Sequence, residues 1–153
     1  MELRAKVNAA VKQAMKDKAQ ARLSTLRLIN AAIKDRDIAV RADGNETGVD
    51  DTEVLAILGK MVKQRRESAK SYEEAGRLDL AERETGEIEV IEEFLPRALN
   101  DKEVAAAIDA AMSEVGAESI RDMGRVMGVL KSKYTGQMDF AAVGPKVKDR
   151  LSA

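Results

Sequence analysis

Two helical blocks are separated within residues 91–104, which read IEEFLPRALNDKEV. Pro96 has no backbone N–H and cannot continue a helix, so the apolar-periodic segment before it should end there. Asn100, followed three residues later by Glu103, has the pattern of a helix N-cap with a capping box. A short hinge is therefore predicted, with an amino-terminal helical bundle over residues 1–96 and a carboxy-terminal helical module over residues 97–153.

Upstream of the hinge, apolar residues recur at spacings of three and four, which is typical of amphipathic helices. The first helix is predicted to end near Asp17 and the second to run from about Ala19 to Arg41. Residues 42–48 contain two glycines and are predicted to form a loop. Helices joined by connections of this length favour an antiparallel bundle with an aliphatic core.

Two further start signals precede the third and fourth helices of the bundle. Asp50 with Glu53 indicates the start of a long third helix, which Gly76 is expected to end. Asp79 with Glu82 repeats the pattern and predicts the start of the fourth helix.

The carboxy-terminal module has its own start and stop residues. Gly116 is expected to close the fifth helix, and Ser119 with Asp122 to open a short helical turn. Another helical segment is predicted to stop before Gly136. Asp139 is the predicted cap of the last segment, which Gly144 and Pro145 are expected to kink or restart.

The composition predicts an all-α protein and excludes several kinds of chemistry. Aromatic residues make up 3% of the chain, prolines number two, and no strand pattern is found. Cysteine and histidine are both absent, which excludes disulfides, thiol nucleophiles, Cys/His zinc sites and imidazole bases. We therefore expect no metal, no cofactor and no catalytic residue.

The amino-terminal residues are charged and amphipathic, without the apolar run of a secretory signal. No apolar stretch approaches the roughly 20 residues that cross a bilayer. A cytoplasmic location with no membrane partner is therefore expected.

The net charge of -1 conceals an alternation along the chain, with basic ends and an acidic fourth helix. Basic ends allow polyanion binding, but basic helices that pack beside acidic ones explain the same alternation. Arg65 and Arg66 lie opposite the glutamate-rich fourth helix in the predicted bundle, which favours interhelical ion pairs.

Two stretches carry a resemblance to a known family. The first comprises RLSTLRLINAAIK at 22–34, YEEAGR at 72–77, LAE at 80–82 and LP at 95–96, and the second comprises DMGRVMGVLK at 122–131 and GQMD at 136–139. The first resembles the amino-terminal helical domain of stand-alone YqeY proteins. The second is similar to the tail module that closes the GatB subunit of the Asp/Glu-tRNA amidotransferase. The chain departs from the tail pattern at Met138, where a small residue is usual, and at Gly144 and Pro145, which interrupt a usually unbroken helix.

The resemblance to the GatB/YqeY family implies a non-catalytic accessory protein that binds tRNA through its carboxy-terminal module. In the amidotransferase the chemistry belongs to other parts, and this chain has no P-loop or amidase-like stretch. The implied partners are tRNA or a protein of the aminoacyl-tRNA or translation machinery. Two alternatives stay open, namely a protein interaction adaptor without RNA binding, and the carbon–nitrogen ligase activity with glutamine as amido-N-donor that the family name carries.

Candidate RNA-binding residues are the basic side chains of the last module. They are expected to remain unpaired, because the only acidic residues after position 121 are Asp122, Asp139 and Asp149. Lysine and arginine side chains left free in this way could contact phosphates. The predicted contact residues are Arg125, Lys131, Lys133, Lys146 and Lys148.

Glycines in the same module are predicted close-packing positions, namely Gly124, Gly128 and Gly136. Gly124 and Gly128 are four residues apart on one helix face, where missing side chains allow close approach. Either tight packing of another helix of this chain or contact with a nucleic-acid backbone explains the pattern.

Overall fold

The computed structural model describes residues 2–152, and within them every regular element is helical, which confirms the all-α prediction. The chain divides into two compact units, an amino-terminal unit that ends at Leu95 and a carboxy-terminal unit that begins at Pro96.

The amino-terminal unit contains four helices: α1 (Glu2–Lys16), α2 (Gln20–Ala42), α3 (Asp51–Glu74) and α4 (Leu78–Glu92). Helices α3 and α4 form its most extensive pair, and α1 packs mainly against α2. Each helix buries one apolar stripe, as the spacing predicts. The most deeply buried side chains of the shared core include Leu26, Ile29, Leu58 and Ile91.

The loop between α2 and α3 is fixed to the bundle by one ion pair. Arg4 of α1 donates to the Asp37 carboxylate of α2 at 2.7 Å and to the Val49 carbonyl at 3.1 Å. The backbone N–H of Val49 donates to Asp37 at 2.9 Å. Gly48 has a φ of +88°, and a Cβ there would lie 2.6 Å from Asp37 Oδ1. Only glycine fits this turn without strain.

Helix α3 begins and ends as the sequence predicts. Asp50 accepts a hydrogen bond from the Glu53 N–H at 2.9 Å. Gly76 has a φ of +75°, its N–H donates to the Glu73 carbonyl, and the Arg77 N–H donates to Tyr72. These two bonds form a Schellman motif.

The predicted start of α4 at Asp79 is wrong. The helix begins at Leu78, Arg77 occupies the N-cap position, and no side chain caps the helix there. The Schellman motif has already reversed the chain at Gly76, so helical geometry resumes earlier than a cap at Asp79 allows. Asp79 lies in the first turn and accepts hydrogen bonds from Arg77 at 3.3 Å.

The carboxy-terminal unit contains α5 (Asp101–Val115), a 3-10 turn (Ile120–Asp122), α6 (Met123–Tyr134) and α7 (Phe140–Ser152). The predicted capping boxes at Asn100 with Glu103 and at Ser119 with Asp122 are both present. Its separate core is built on side chains from all three helices: Ile108, Val126, Leu130 and Val147.

The predicted kink or restart at Gly144 and Pro145 does not divide the last helix, since α7 continues through both residues. Pro145 removes only the one bond that its N–H would have made to the Ala141 carbonyl. Gly144 is buried, and a Cβ there would meet the Met123 side chain at 3.8 Å, an ordinary contact. Packing of this face against α6 holds the helix together across the proline.

Candidate nucleic-acid interface

Helix α6 presents its two glycines away from the core of the carboxy-terminal unit. Val126 and Leu130 are completely buried, whereas Gly124 and Gly128 are exposed on the opposite face. A Cβ built at either glycine meets no atom of another described element within 4 Å. Tight packing within the chain is therefore the wrong interpretation of these two glycines. Their face remains bare toward solvent.

Gly136 serves the backbone turn between α6 and α7. Its φ is +83°, in the left-handed region that favours glycine. The next residue, Gln137, donates its N–H to Tyr134 and accepts from the Leu99 N–H at 2.8 Å. The left-handed backbone of this turn is by itself a sufficient reason for glycine at this position.

Arg125 is held by its own unit. Its guanidinium donates to Asp122 at 3.2 Å and to the backbone carbonyl of Val115, at the end of α5. Asp122 also accepts from the Glu118 and Ser119 backbone N–H groups, and these bonds, with Arg125 nearby, lower its pKa. A cation at the carboxyl end of a helix also interacts favourably with the negative end of the helix dipole. Arg125 therefore stabilises the turn that leads from α5 to α6.

Two of the predicted lysines also have partners on α5. Lys133 donates to Glu114 at 2.7 Å, and this hydrogen bond raises the pKa of Lys133. Lys146 lies 3.8 Å from Asp101, with both side chains well exposed. The expectation that the cations stay unpaired is wrong for these residues because the acids come from α5. Nothing in the linear sequence marks Glu114 or Asp101 as partners, since each lies far from its lysine along the chain.

Lys131 and Lys148 are the two predicted cations for which the described residues supply no ion-pair partner within 4.0 Å. Lys131 lies seven residues beyond Gly124 and three beyond Gly128, so it shares their exposed face of α6. Lys148 is exposed on α7.

A shallow groove of about 420 Å³ lies where the end of α5 meets α6. The exposed glycine face of α6 borders this groove. Its lining includes both apolar and charged side chains: Glu114, Val115, Arg125, Gly128, Val129 and Lys133. The ion pair between Lys133 and Glu114 lies at this groove.

In the amino-terminal unit, α4 supplies carboxylates to its neighbours. Glu87 accepts from Arg65 at 2.9 Å, Glu92 from Arg66 at 3.4 Å, and Glu93 pairs with Arg22 of α2. The predicted interhelical pairing of Arg65 and Arg66 is confirmed. These glutamates therefore have structural partners.

Residues 2–152 contain no group of three or more acidic, cysteine or histidine side chains arranged to hold a metal ion. Within the same range, no helix combines the length and apolar content that a membrane span requires.

Several fungal proteins are similar to this chain. It is 36% identical over 110 residues to "Altered inheritance of mitochondria protein 41, mitochondrial" from Clavispora lusitaniae, covering 70% of this chain and 61% of that protein. The protein of the same name from Lachancea thermotolerans is 31% identical over 107 residues, covering 69% of this chain and 55% of its own length. "Uncharacterized protein C22F3.15" from Schizosaccharomyces pombe is 41% identical over 46 residues, or 30% and 37% of the two chains. The chain thus spans about 61% of the length of the first of these relatives.

The expected cytoplasmic location is contradicted by the relatives from Clavispora lusitaniae and Lachancea thermotolerans, which are named as mitochondrial. The expectation relied on the lack of an apolar secretory signal and of a membrane span. Neither feature distinguishes the cytosol from the mitochondrion, because leaders for mitochondrial import are amphipathic and basic rather than apolar.

The comparison with protein families covers almost the whole chain, across both units. The family described as Yqey-like protein matches residues 4–151. The match includes the residues that carry the resemblance to GatB/YqeY proteins, from RLSTLRLINAAIK at 22–34 to GQMD at 136–139. The chain therefore belongs to the Yqey-like protein family.

Proposed function

We propose that this protein is a non-catalytic accessory protein that binds tRNA through its carboxy-terminal unit. The observation that carries the proposal is the bare outer face of α6, where Gly124 and Gly128 are exposed beside a lysine for which the described residues supply no ion-pair partner. Family membership supports a GatB-related accessory role in general. Binding of tRNA is the specific part of the proposal.

Geometry and charge on α6 both favour contact with a phosphate backbone. Gly124, Gly128 and Lys131 follow one another at spacings of four and three, so they share one helix face. Missing side chains let a backbone approach the helix closely, and Lys131 supplies a positive charge at the end of that face. Lys148 of α7 is a second exposed lysine of the same unit for which the described residues supply no ion-pair partner.

Catalysis by the chain alone is not part of the proposal. The chain contains neither cysteine nor histidine, and several carboxylates of α4 already accept hydrogen bonds from arginines. We expect no glutamine hydrolysis and no ATP consumption when the purified protein is mixed with tRNA. If the protein does turn over glutamine or ATP, and a point mutation in this chain abolishes that turnover, the result would contradict this expectation and favour the carbon–nitrogen ligase activity.

The adaptor function is supported by one feature, the groove at α5 and α6, because Val115 and Val129 line it. An apolar side chain of a partner helix would fit there, and such binding depends weakly on salt. Capture of the same partners from a lysate after RNase treatment would favour the adaptor over tRNA binding.

The deciding experiment measures tRNA affinity over a series of salt concentrations. In the double variant Lys131→Ala/Lys148→Ala, the slope of log affinity against log salt should fall by roughly 0.7 to 0.9 for each phosphate that the protein no longer neutralises. The matched control is Lys133→Ala/Lys146→Ala, which removes the same charge from lysines that have acidic partners, and its slope should change less. Equal slopes in the wild type and the Lys131/Lys148 variant would contradict this placement of the tRNA.

A further inference from the structure

The outer face of the hairpin formed by α1 and α2 carries the largest group of free cations in the described part of the amino-terminal unit. The inner faces of the hairpin bury Val7, Ala14, Leu26 and Ile29 in the core. The described residues provide no ion-pair partner within 4.0 Å for six cations of α1, α2 and the turn between them: Lys12, Lys16, Lys18, Arg27, Lys34 and Arg41.

Three of these cations form a line along α2. Arg27, Lys34 and Arg41 follow one another at intervals of seven residues, which corresponds to about two helical turns. With a rise of 1.5 Å per residue, the line extends over about 21 Å. Arg27 and Lys34 are both exposed along it.

Helix α1 adds charge to the same side of the hairpin. Asn8 of α1 accepts a hydrogen bond from Asn30 of α2 at 3.4 Å, so these residues face each other across the two helices. Lys12 follows Asn8 by one turn, and Arg27 precedes Asn30 by nearly one turn. Since α1 and α2 run antiparallel, Lys12 and Arg27 lie toward the same end of the hairpin.

Acidic residues of the hairpin are too few to neutralise this face, since residues 2–41 contain four of them against ten lysines and arginines. Glu2 pairs with Lys6 at 3.3 Å, and Asp37 is held by Arg4. Asp17 keeps its charge, since it accepts only from the neutral amide of Gln13 at 3.0 Å, and Asp35 is exposed beside Lys34. Toward the end of α4, Glu93, Glu87 and Glu92 pair with Arg22, Arg65 and Arg66. The outer face consequently keeps its positive charge although the whole chain has a net charge of -1.

We propose that the outer face of the α1–α2 hairpin is a second tRNA-binding surface, separate from the one on the carboxy-terminal unit. The inference depends on the proposed function only for the identity of the partner. An extended line of cations matches a polymer with one charge per nucleotide better than a single anionic group. Residues 1–41 contain no aromatic residue, so this surface contacts phosphates without stacking on bases.

The experiment compares two triple variants of the whole chain that remove the same charge. Lys12→Gln/Arg27→Gln/Lys34→Gln changes the hairpin face, and Lys60→Gln/Lys70→Gln/Lys102→Gln changes exposed lysines elsewhere. The hairpin variant should lower the slope of log tRNA affinity against log salt by about 2, at roughly 0.7 to 0.9 for each phosphate. The control variant should lower the slope by far less, and both should keep the wild-type thermal midpoint because the changed residues are exposed.

Exposed aliphatic residues on the hairpin allow a second test of the occupant. Met15 is 55% exposed and Ile38 is 54% exposed, and either would insert into an anionic membrane lying on this face. The variant Met15→Ser/Ile38→Ser keeps the charge and should bind tRNA like the wild type. Binding to phosphatidylserine vesicles that is abolished in both this variant and the hairpin variant, with unchanged tRNA affinity in both, would overturn the inference in favour of a membrane.

The two proposals fail in different ways. If the hairpin variant binds tRNA with the wild-type slope while Lys131→Ala/Lys148→Ala does not, the hairpin surface is disproved and the proposed function stands. If only the hairpin variant binds tRNA more weakly, the hairpin surface stands and the placement on the carboxy-terminal unit fails. Absence of tRNA binding by the wild type at low salt would disprove both.

Discussion

In the amino-terminal unit the side chains of Arg4 and Asp37 are 28% and 18% exposed, whereas Lys133 and Glu114 of the carboxy-terminal unit are 54% and 51% exposed. The first pair holds a loop in place because both side chains also bond to the backbone of Val49. The second joins the surfaces of two helices that already pack through their cores. Removing one partner of a partly buried, hydrogen-bonded pair leaves the other charge poorly solvated, so it costs more stability than breaking an exposed pair. The same kind of contact therefore has different consequences in the two units.

The largest expected effect is that of removing the Asp37 carboxylate. Asp37→Ala leaves Arg4 partly buried and the Val49 N–H without its acceptor, which should lower the free energy of unfolding by about 2 to 3 kcal/mol. The matched control Asp79→Ala breaks the exposed contact with Arg77 and should destabilise the protein far less. Denaturant unfolding followed by circular dichroism measures both. Similar losses of stability in the two variants would contradict the comparison.

Gly48→Ala should destabilise the same loop by about 1 to 3 kcal/mol, since the alanine would need a strained positive φ. Its Cβ would also lie 2.6 Å from Asp37 Oδ1. Gly44→Ala is the control, because Gly44 also has a positive φ, +96°, but open space around its Cβ. Thermal unfolding of both variants gives two midpoints, and the difference between them measures the effect of the clash between the Gly48→Ala methyl group and Asp37. If Gly44→Ala is as destabilising as Gly48→Ala, the clash contributes nothing.

In the carboxy-terminal unit, the glycines of α6 should respond in the opposite direction. Gly124→Ala and Gly128→Ala place a methyl group in open space and should raise the free energy of unfolding by about 0.5 to 1 kcal/mol each. If their face contacts tRNA, affinity should fall in the same variants. Thermal unfolding and tRNA titration together check this prediction. Greater stability with unchanged affinity would mean that the tRNA does not approach this face.

Lowering the pH is expected to have a smaller effect on stability. Hydrogen bonds from the Arg97 guanidinium and from the Asn100 N–H lower the pKa of Glu103 to about 2. A pKa lower in the folded state than in the unfolded state contributes stability above about pH 4.5, which is lost as the pH falls toward 2. Glu103→Gln keeps a side chain suited to the capping box but cannot titrate. Its unfolding midpoint should therefore fall less than that of the wild type between about pH 4.5 and 2, as measured by thermal melts.

The smallest effect on stability is expected from separating the two units into fragments. Fragments 1–96 and 97–153 have separate cores and should each unfold cooperatively when expressed alone. In the whole chain, Asp37→Ala should then lower the unfolding midpoint of the amino-terminal unit alone. Limited proteolysis of the whole chain should cut between residues 96 and 101. A fragment that stays unfolded without the other would disprove independent folding.

Sequence by itself determined the helices, their number in the amino-terminal unit and most of their ends. Asn100 with Glu103 and Asp50 with Glu53 are capping patterns that act over three residues, so neighbouring positions contain all the information that they need. Gly76 and Gly116 end helices for an equally local reason, a left-handed backbone. The capping pattern at Asp79 does not mark the start of α4, because the Schellman motif at Gly76 has already reversed the chain and the helix begins at Leu78.

Tertiary structure alone decided which charged side chains are free. Lys133 and Lys146 are neutralised from α5, Arg4 from α2, and each pair joins residues that are far apart in the chain. The sequence also does not show that Gly124 and Gly128 face solvent, since the glycine spacing is the same for a packed helix face and an exposed one. Caps are bonds within one turn of helix, whereas ion pairs and exposed faces depend on how whole helices pack, and packing is a property of the fold rather than of any short stretch.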